Sequence, residues 1–98
     1  MRAVNPGTEI DWSSRFRQAP GLDFSEVLDG FLVYQEERDR LHYLNPTAAA
    51  ILQMCDGSLA AADVAAVLAT GFRLRTVPRD EVAGCLRKLL DEGLIATA

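Results

Sequence analysis

The apolar and polar positions change period along the chain. From Phe24 to Leu28, Phe24, Glu26 and Leu28 alternate with Ser25, Val27 and Asp29, which predicts a short strand. Asp29-Gly30 is a tight-turn pair, and Phe31-Leu32-Val33-Tyr34-Gln35 behind it is rich in strand formers. The polar run Glu36-Glu37-Arg38-Asp39 suits a second turn, and Leu41-His42-Tyr43-Leu44 makes a third strand. Three short strands joined by tight turns predict an antiparallel meander.

At Asn45-Pro46 the period switches from two to 3.6. Asn is a favoured helix cap and Pro a favoured first helical residue. Ala48, Ile51, Leu52 and Cys55 then recur at i, i+3, i+4 and i+7, predicting a helix that Asp56-Gly57 ends. A second helix is expected from about Leu59 to Ala69, capped by Ser58 and stopped by Gly71; Ala61, Val64, Ala65 and Leu68 share one face. Phe72 to Val77 reads as a connector carrying Arg73 and Arg75. Pro78 opens a third helix, about Arg79 to Glu92, with Val82, Leu86, Leu89 and Leu90 as its buried stripe and Cys85 beside them. Asp80 and Glu81 in its first turn and Arg87 and Lys88 nearer its end complement the helix dipole. Gly93 caps it, and Leu94-Ile95 returns to the core. Gly84 interrupts this helix at a cost of about 1 kcal/mol relative to Ala; it reads either as a tolerated imperfection or as a place where another backbone approaches.

Strands followed by helices indicate an α+β fold, either with helices covering one face of the meander or in a winged-helix-like arrangement. The domain is expected over residues 23–98, preceded by an arm at 1–22 with turn signals at Asn5-Pro6-Gly7 and Ala19-Pro20-Gly21. Two roles fit the arm's Ile10, Trp12 and Phe16: packing on the body, or meeting a partner.

With 98 residues, 49% hydrophobic and 24% charged, the chain has the composition of one globular domain. Its net charge of −4 has no basic block to offset it: residues 21–45 hold six acids against Arg38 and Arg40. The second helix carries no Arg or Lys and includes Asp63, which argues against a DNA-reading helix and against nucleic-acid binding generally. Cys55 and Cys85 have no partner at metal-ligand spacing, so no metal is expected, and both read as small buried hydrophobes. The opening MRAVNPGTEIDW lacks the apolar stretch of a signal peptide, and no run approaches the ~20 apolar residues of a membrane span. The expectation is a cytoplasmic protein without a membrane partner. Catalytic signatures are missing: one histidine, His42, sits in a strand with no nucleophile near it in sequence. Binding remains. An open third strand, Leu41 to Leu44, offers unpaired backbone groups to an added strand, with the third helix as the other wall of a groove.

The run Leu44-Asn45-Pro46-Thr47-Ala48-Ala49-Ala50-Ile51, followed by Cys55-Asp56-Gly57, resembles the PqqD-like family, the precursor-recognition elements or peptide chaperones of ribosomally made, modified peptides (RiPPs). The Asp29-Gly30 hairpin and the closing Leu86, Leu89 and Gly93-Leu94-Ile95 match in order, so the resemblance covers about residues 23–95. It implies three strands and three helices in a winged-helix-like fold, with no catalysis and no cofactor. It implies that a leader peptide adds beside the third strand, at Leu41, His42, Tyr43 and Leu44. The helical wall would come from Val82, Cys85, Leu86 and Leu89. Arg73, Arg75, Arg79 and Arg87 are candidates to pair with leader acids. The implied second partner is a modifying enzyme such as a radical S-adenosylmethionine protein, a leader protease or a cyclase. Ala60 stands where relatives place a Ser or Thr cap, and Cys85 where a larger apolar residue is common. A winged-helix regulatory module and an accessory subunit of an enzyme complex are the other readings. A monomer is expected, although an open edge also permits pairing with a second copy.

Overall fold

The structure is a computed structural model that describes residues 10–98. The Asn5-Pro6-Gly7 turn lies outside the described residues. The expected meander is present: β2 (Leu22–Val27), β3 (Gly30–Gln35) and β4 (Arg40–Leu44) form an antiparallel sheet in the order β2-β3-β4. Three helices follow, α1 (Pro46–Met54), α2 (Ala61–Gly71) and α3 (Arg79–Asp91), so the α+β class and element order hold.

A second sheet was not predicted. β1 (Arg15–Gln18) lies between β5 (Asp56–Ala60) and β6 (Ile95–Thr97), antiparallel to both. The segment read as an arm therefore supplies a central strand. Phe16 is buried in the core, and Ile10 and Trp12 pack against it. This sheet ties together the start of the meander, the α1–α2 link and the chain end. Gln18 N–H donates to Cys55 O at 2.9 Å, and Ala19 N–H to Leu94 O at 2.9 Å.

Several local expectations are corrected by packing. The first turn falls on Leu28-Asp29 rather than Asp29-Gly30, because Val27 pairs with Gly30; Leu28 is at the tip, fully exposed. Gly30 opens β3 instead, where any side chain would overlap the Leu44 carbonyl oxygen and the Tyr43 ring. Ser58 does not cap α2: it lies in β5, its N–H donating to Asp56 Oδ1 at 2.9 Å. Ala60 occupies the cap position, and Asp63 Oδ2 accepts from Ala60 N–H at 3.2 Å, satisfying one end group without a capping hydroxyl. Gly57 has φ +89° where the β1–β5 register shifts, so its left-handed freedom serves a bulge, not the end of α1.

Asn45 caps α1 as expected, its Oδ1 accepting from Ala48 N–H at 2.8 Å. Gly93 closes α3 with φ +71°, and Leu94 N–H reaches back to Leu89 O at 2.9 Å. Gly71 is the last residue of α2, but the left-handed closing position falls on Arg73. Leu74 N–H donates to Ala69 O and Arg73 N–H to Thr70 O, the paired closing bonds of a helix end, and Arg73 takes the left-handed position at φ 55°. That conformation costs a side-chain-bearing residue about 1 kcal/mol. Arg73→Gly is therefore expected to raise the melting temperature by a few degrees in a thermal melt.

The core lies between the sheets and the helices. Ile51 and Leu52 of α1, Val64 and Leu68 of α2, and Val82, Leu86 and Leu89 of α3 meet Val33 of β3 and Phe16 of β1. The opposite face of the meander is solvent-facing, with Tyr34, Leu41 and Tyr43 exposed. No helix among the described residues is long and apolar enough to cross a membrane.

Candidate functional site

Among the described residues β4 pairs only with β3, so one edge of it is open. The ladder decides which residues present that edge. Val27 and Gly30 flank a two-residue turn, and Glu36 N–H reaches Gly21 O beyond the Leu22–Gln35 pair. In antiparallel alternation, Phe31, Val33 and Gln35 thus direct their backbone groups toward β4, where Leu44, His42 and Arg40 face them. The N–H and C=O of Leu41 and Tyr43 point the other way, to the open edge. Both side chains are exposed as well, Leu41 at 63% and Tyr43 at 53%.

Beside this edge runs a groove of about 460 Å³, walled on the far side by α3 through Cys85, Lys88, Leu89 and Glu92. Leu44, Ala48 and Leu94 also line it. Its apolar and charged parts are separated along α3: Cys85 and Leu89 supply the first, Lys88 and Glu92 the second. A cleft of about 330 Å³ between the first turns of α1 and α3 shares Asn45, Ala48 and Cys85 with the groove, and Gly84 lines it.

A buried polar chain fixes the width at the charged end. Gln35, 1% exposed, donates from Nε2 to Gly93 O at 3.0 Å, just past the end of α3. Its Oε1 faces His42 Nε2 at 3.0 Å, so that ring nitrogen carries the proton. His42 Nδ1 lies 3.8 Å from Glu92 Oε2, which Arg40 Nη2 approaches at 3.5 Å. Arg38 Nη1 donates to Glu92 O at 3.3 Å. The link runs from β3 through β4 to the end of α3, and so ties together the two walls of the groove.

Burial pushes the Cys85 thiol up to about 11, with Lys88 opposing, so it is protonated near neutrality and a weak nucleophile. Burial likewise pushes Cys55 up to about 12. Among the described residues no group of three or more His, Cys, Asp or Glu side chains could hold a metal ion.

The family model for coenzyme PQQ synthesis protein D (PqqD) matches residues 30–95, from the start of β3 to the first residue of β6. The chain belongs to the PqqD family. No curated protein and no solved structure matches it. PqqD-family proteins are non-catalytic, peptide-binding chaperones in the biosynthesis of PQQ and other RiPPs, with a precursor peptide and a modifying enzyme as partners in general terms.

Of the residues expected to meet a peptide in this PqqD-family chain, Leu41, His42, Tyr43, Leu44, Cys85 and Leu89 line one groove. Val82 and Leu86 do not: both are fully buried beneath it. Arg79 lies elsewhere, with its guanidinium 4.9 Å from the centre of the Trp12 ring. Arg87 Nε sits 3.9 Å from Asp91, one turn on. The groove cations are Lys88, expected only as a helix-dipole complement, and Arg40; Asn45, Ala48, Glu92 and Leu94 also line it without a sequence expectation. Helical spacing carried a signal for the wall: Lys88, Leu89 and Glu92 stand three, four and seven positions after Cys85.

Proposed function

We propose that this PqqD-family protein is an adaptor that binds the leader region of a ribosomally made precursor peptide by strand addition to β4. It then presents the precursor to a modifying enzyme, for which a radical S-adenosylmethionine protein, a leader protease and a cyclase are the classes considered. The observation that carries the reading is the open β4 edge, with Leu41 and Tyr43 directing backbone groups outward beside an apolar groove. An added strand gains main-chain hydrogen bonds, and alternate side chains enter the groove between Leu44, Cys85 and Leu89. Lys88 stands where a carboxylate on the peptide would be met. Val82 and Leu86 support the wall from the core, and Arg79 lies outside the contact.

The test is a titration of the purified protein against the fluorescently labelled leader of a short precursor encoded beside its gene, read by anisotropy. A labelled DNA duplex is the comparison. Saturable binding to the leader at micromolar concentration or below, with none to DNA, is expected. A folded sample that ignores the leader, or prefers the duplex, overturns the adaptor reading.

A further inference from the structure

No residue of the α2–α3 connector lines the groove, yet the connector is exposed along its length. Every residue from Gly71 to Val77 is exposed. Phe72, Leu74 and Val77 are 45%, 44% and 42% exposed, and Val67 on the neighbouring turn of α2 is 49% exposed. Three large apolar side chains in one short exposed segment, with a fourth on the neighbouring helical turn, are unfavourable in water and suit a surface that is covered in use. The segment is also basic: Arg73, Arg75 and Arg79 occur between 71 and 79 with no acid, in a chain whose net charge is −4. Among the described residues neither Arg73 nor Arg75 forms an ion pair. Asp80 and Glu81 follow, but they line the cleft against α1. Finally, Arg73 sits in the left-handed position where glycine is least strained, so the arginine there carries a conformational cost.

We propose that this connector docks on an acidic, partly apolar surface of the enzyme that receives the peptide; naming the enzyme as the occupant rests on the adaptor reading. Charge complementarity selects the chemistry: alternating arginine and apolar side chains fit a protein face on which carboxylates surround apolar pockets. Three cations suit duplex DNA poorly, because it offers little apolar surface to Phe72 and Leu74. An anionic membrane is disfavoured because it is extended: it would bring the exposed Asp80 and Glu81, next to the connector, within a Debye length of like charge, whereas a protein face can be acidic locally. No residue lining the β4 groove falls between 49 and 84, so the two surfaces can be occupied together.

The test places the photo-crosslinking residue p-benzoylphenylalanine at Leu74, in the full chain, in the cell that encodes it. Crosslinked peptides are identified by mass spectrometry. The expected result is an adduct with an acidic segment of the modifying enzyme, reduced at least fivefold in an Arg73→Glu/Arg75→Glu background. Circular dichroism and a thermal melt show that this variant keeps the wild-type fold. Adducts with lipid, with nucleic acid, with a second copy of the chain or with a segment lacking acids would overturn the proposal. So would no adduct, or one indifferent to the charge reversal. If the wild type fails to bind leader while the enzyme adduct persists, the adaptor reading falls and the docking surface stands.

Discussion

Leu41→Pro is expected to leave the domain folded and to weaken leader binding tenfold or more. The Leu41 N–H points to the open edge, so its loss removes no bond of the β3–β4 ladder. Its side chain is 63% exposed, so little buried area goes with it. Proline is tolerated at a strand edge when its missing N–H faces solvent. An arriving peptide strand meets a different surface: one donor is gone, a peptide carbonyl is left without its partner, and the pyrrolidine ring stands in its path. A net hydrogen bond of about 1–1.5 kcal/mol corresponds to roughly a tenfold change in Kd, before the steric term is counted. Tyr43→Pro should weaken binding similarly. It also loses the Tyr43 hydroxyl bond to Asp29 O at 2.9 Å and the ring packed over Gly30, so its fold should soften as well. His42→Pro is the control, because that N–H faces β3 and its loss should destabilise the sheet. Circular dichroism with the anisotropy titration reads all three. A folded Leu41→Pro protein with wild-type affinity would exclude strand addition at β4.

Gln35→Leu is expected to cost about 1–3 kcal/mol of stability, because two polar groups lose their partner at once. Gly93 O and His42 Nε2 are both satisfied by the one buried amide, each at 3.0 Å. Leucine matches the volume but neither bond. For a domain of this size, 2 kcal/mol lowers the melting temperature by roughly 8–16 °C. The loss should also loosen the end of α3 against β4, widening the groove at Glu92. A double-mutant cycle with His42→Phe separates the terms: the paired loss should be smaller than the sum by about 0.5 kcal/mol or more, since one unsatisfied group disappears with its partner. Additive losses would mean that the His42 contact contributes nothing.

Much of the fold is legible because it is coded locally. The Asn45-Pro46 cap, the α3 stripe and the second and third strand-forming runs each carry a short-range physical signal and form where that signal places them, while the first strand forms shifted toward the N-terminus. The misses share a different cause. β1 is Arg-Phe-Arg-Gln, β5 is Asp-Gly-Ser-Leu-Ala and β6 is Ile-Ala-Thr. None is long enough to show a period, and β5 contains poor strand formers. They are strands because pairing satisfies their backbone groups, and their partners lie far away in sequence. The first turn shifts for a similar reason: Gly30 is needed under Tyr43 and the Leu44 carbonyl, a requirement set by β4 rather than by turn chemistry.

The groove divides along the same line. Periodicity places Val82, Cys85, Leu86 and Leu89 on the inner side of one amphipathic helix, and a helix stripe is wider than the surface any single neighbour covers. Packing then assigns Val82 and Leu86 to the core and leaves Cys85, with Lys88 and Glu92, facing β4. Residue order alone establishes the α+β class, the Asn45 start of α1, the Gly93 end of α3 and membership of a peptide-binding family, because these depend on contacts within a few turns or on a motif. The second sheet, the buried Gln35 link and the division of α3 between core and groove arise only from long-range contacts, where burial and backbone pairing outweigh local preference.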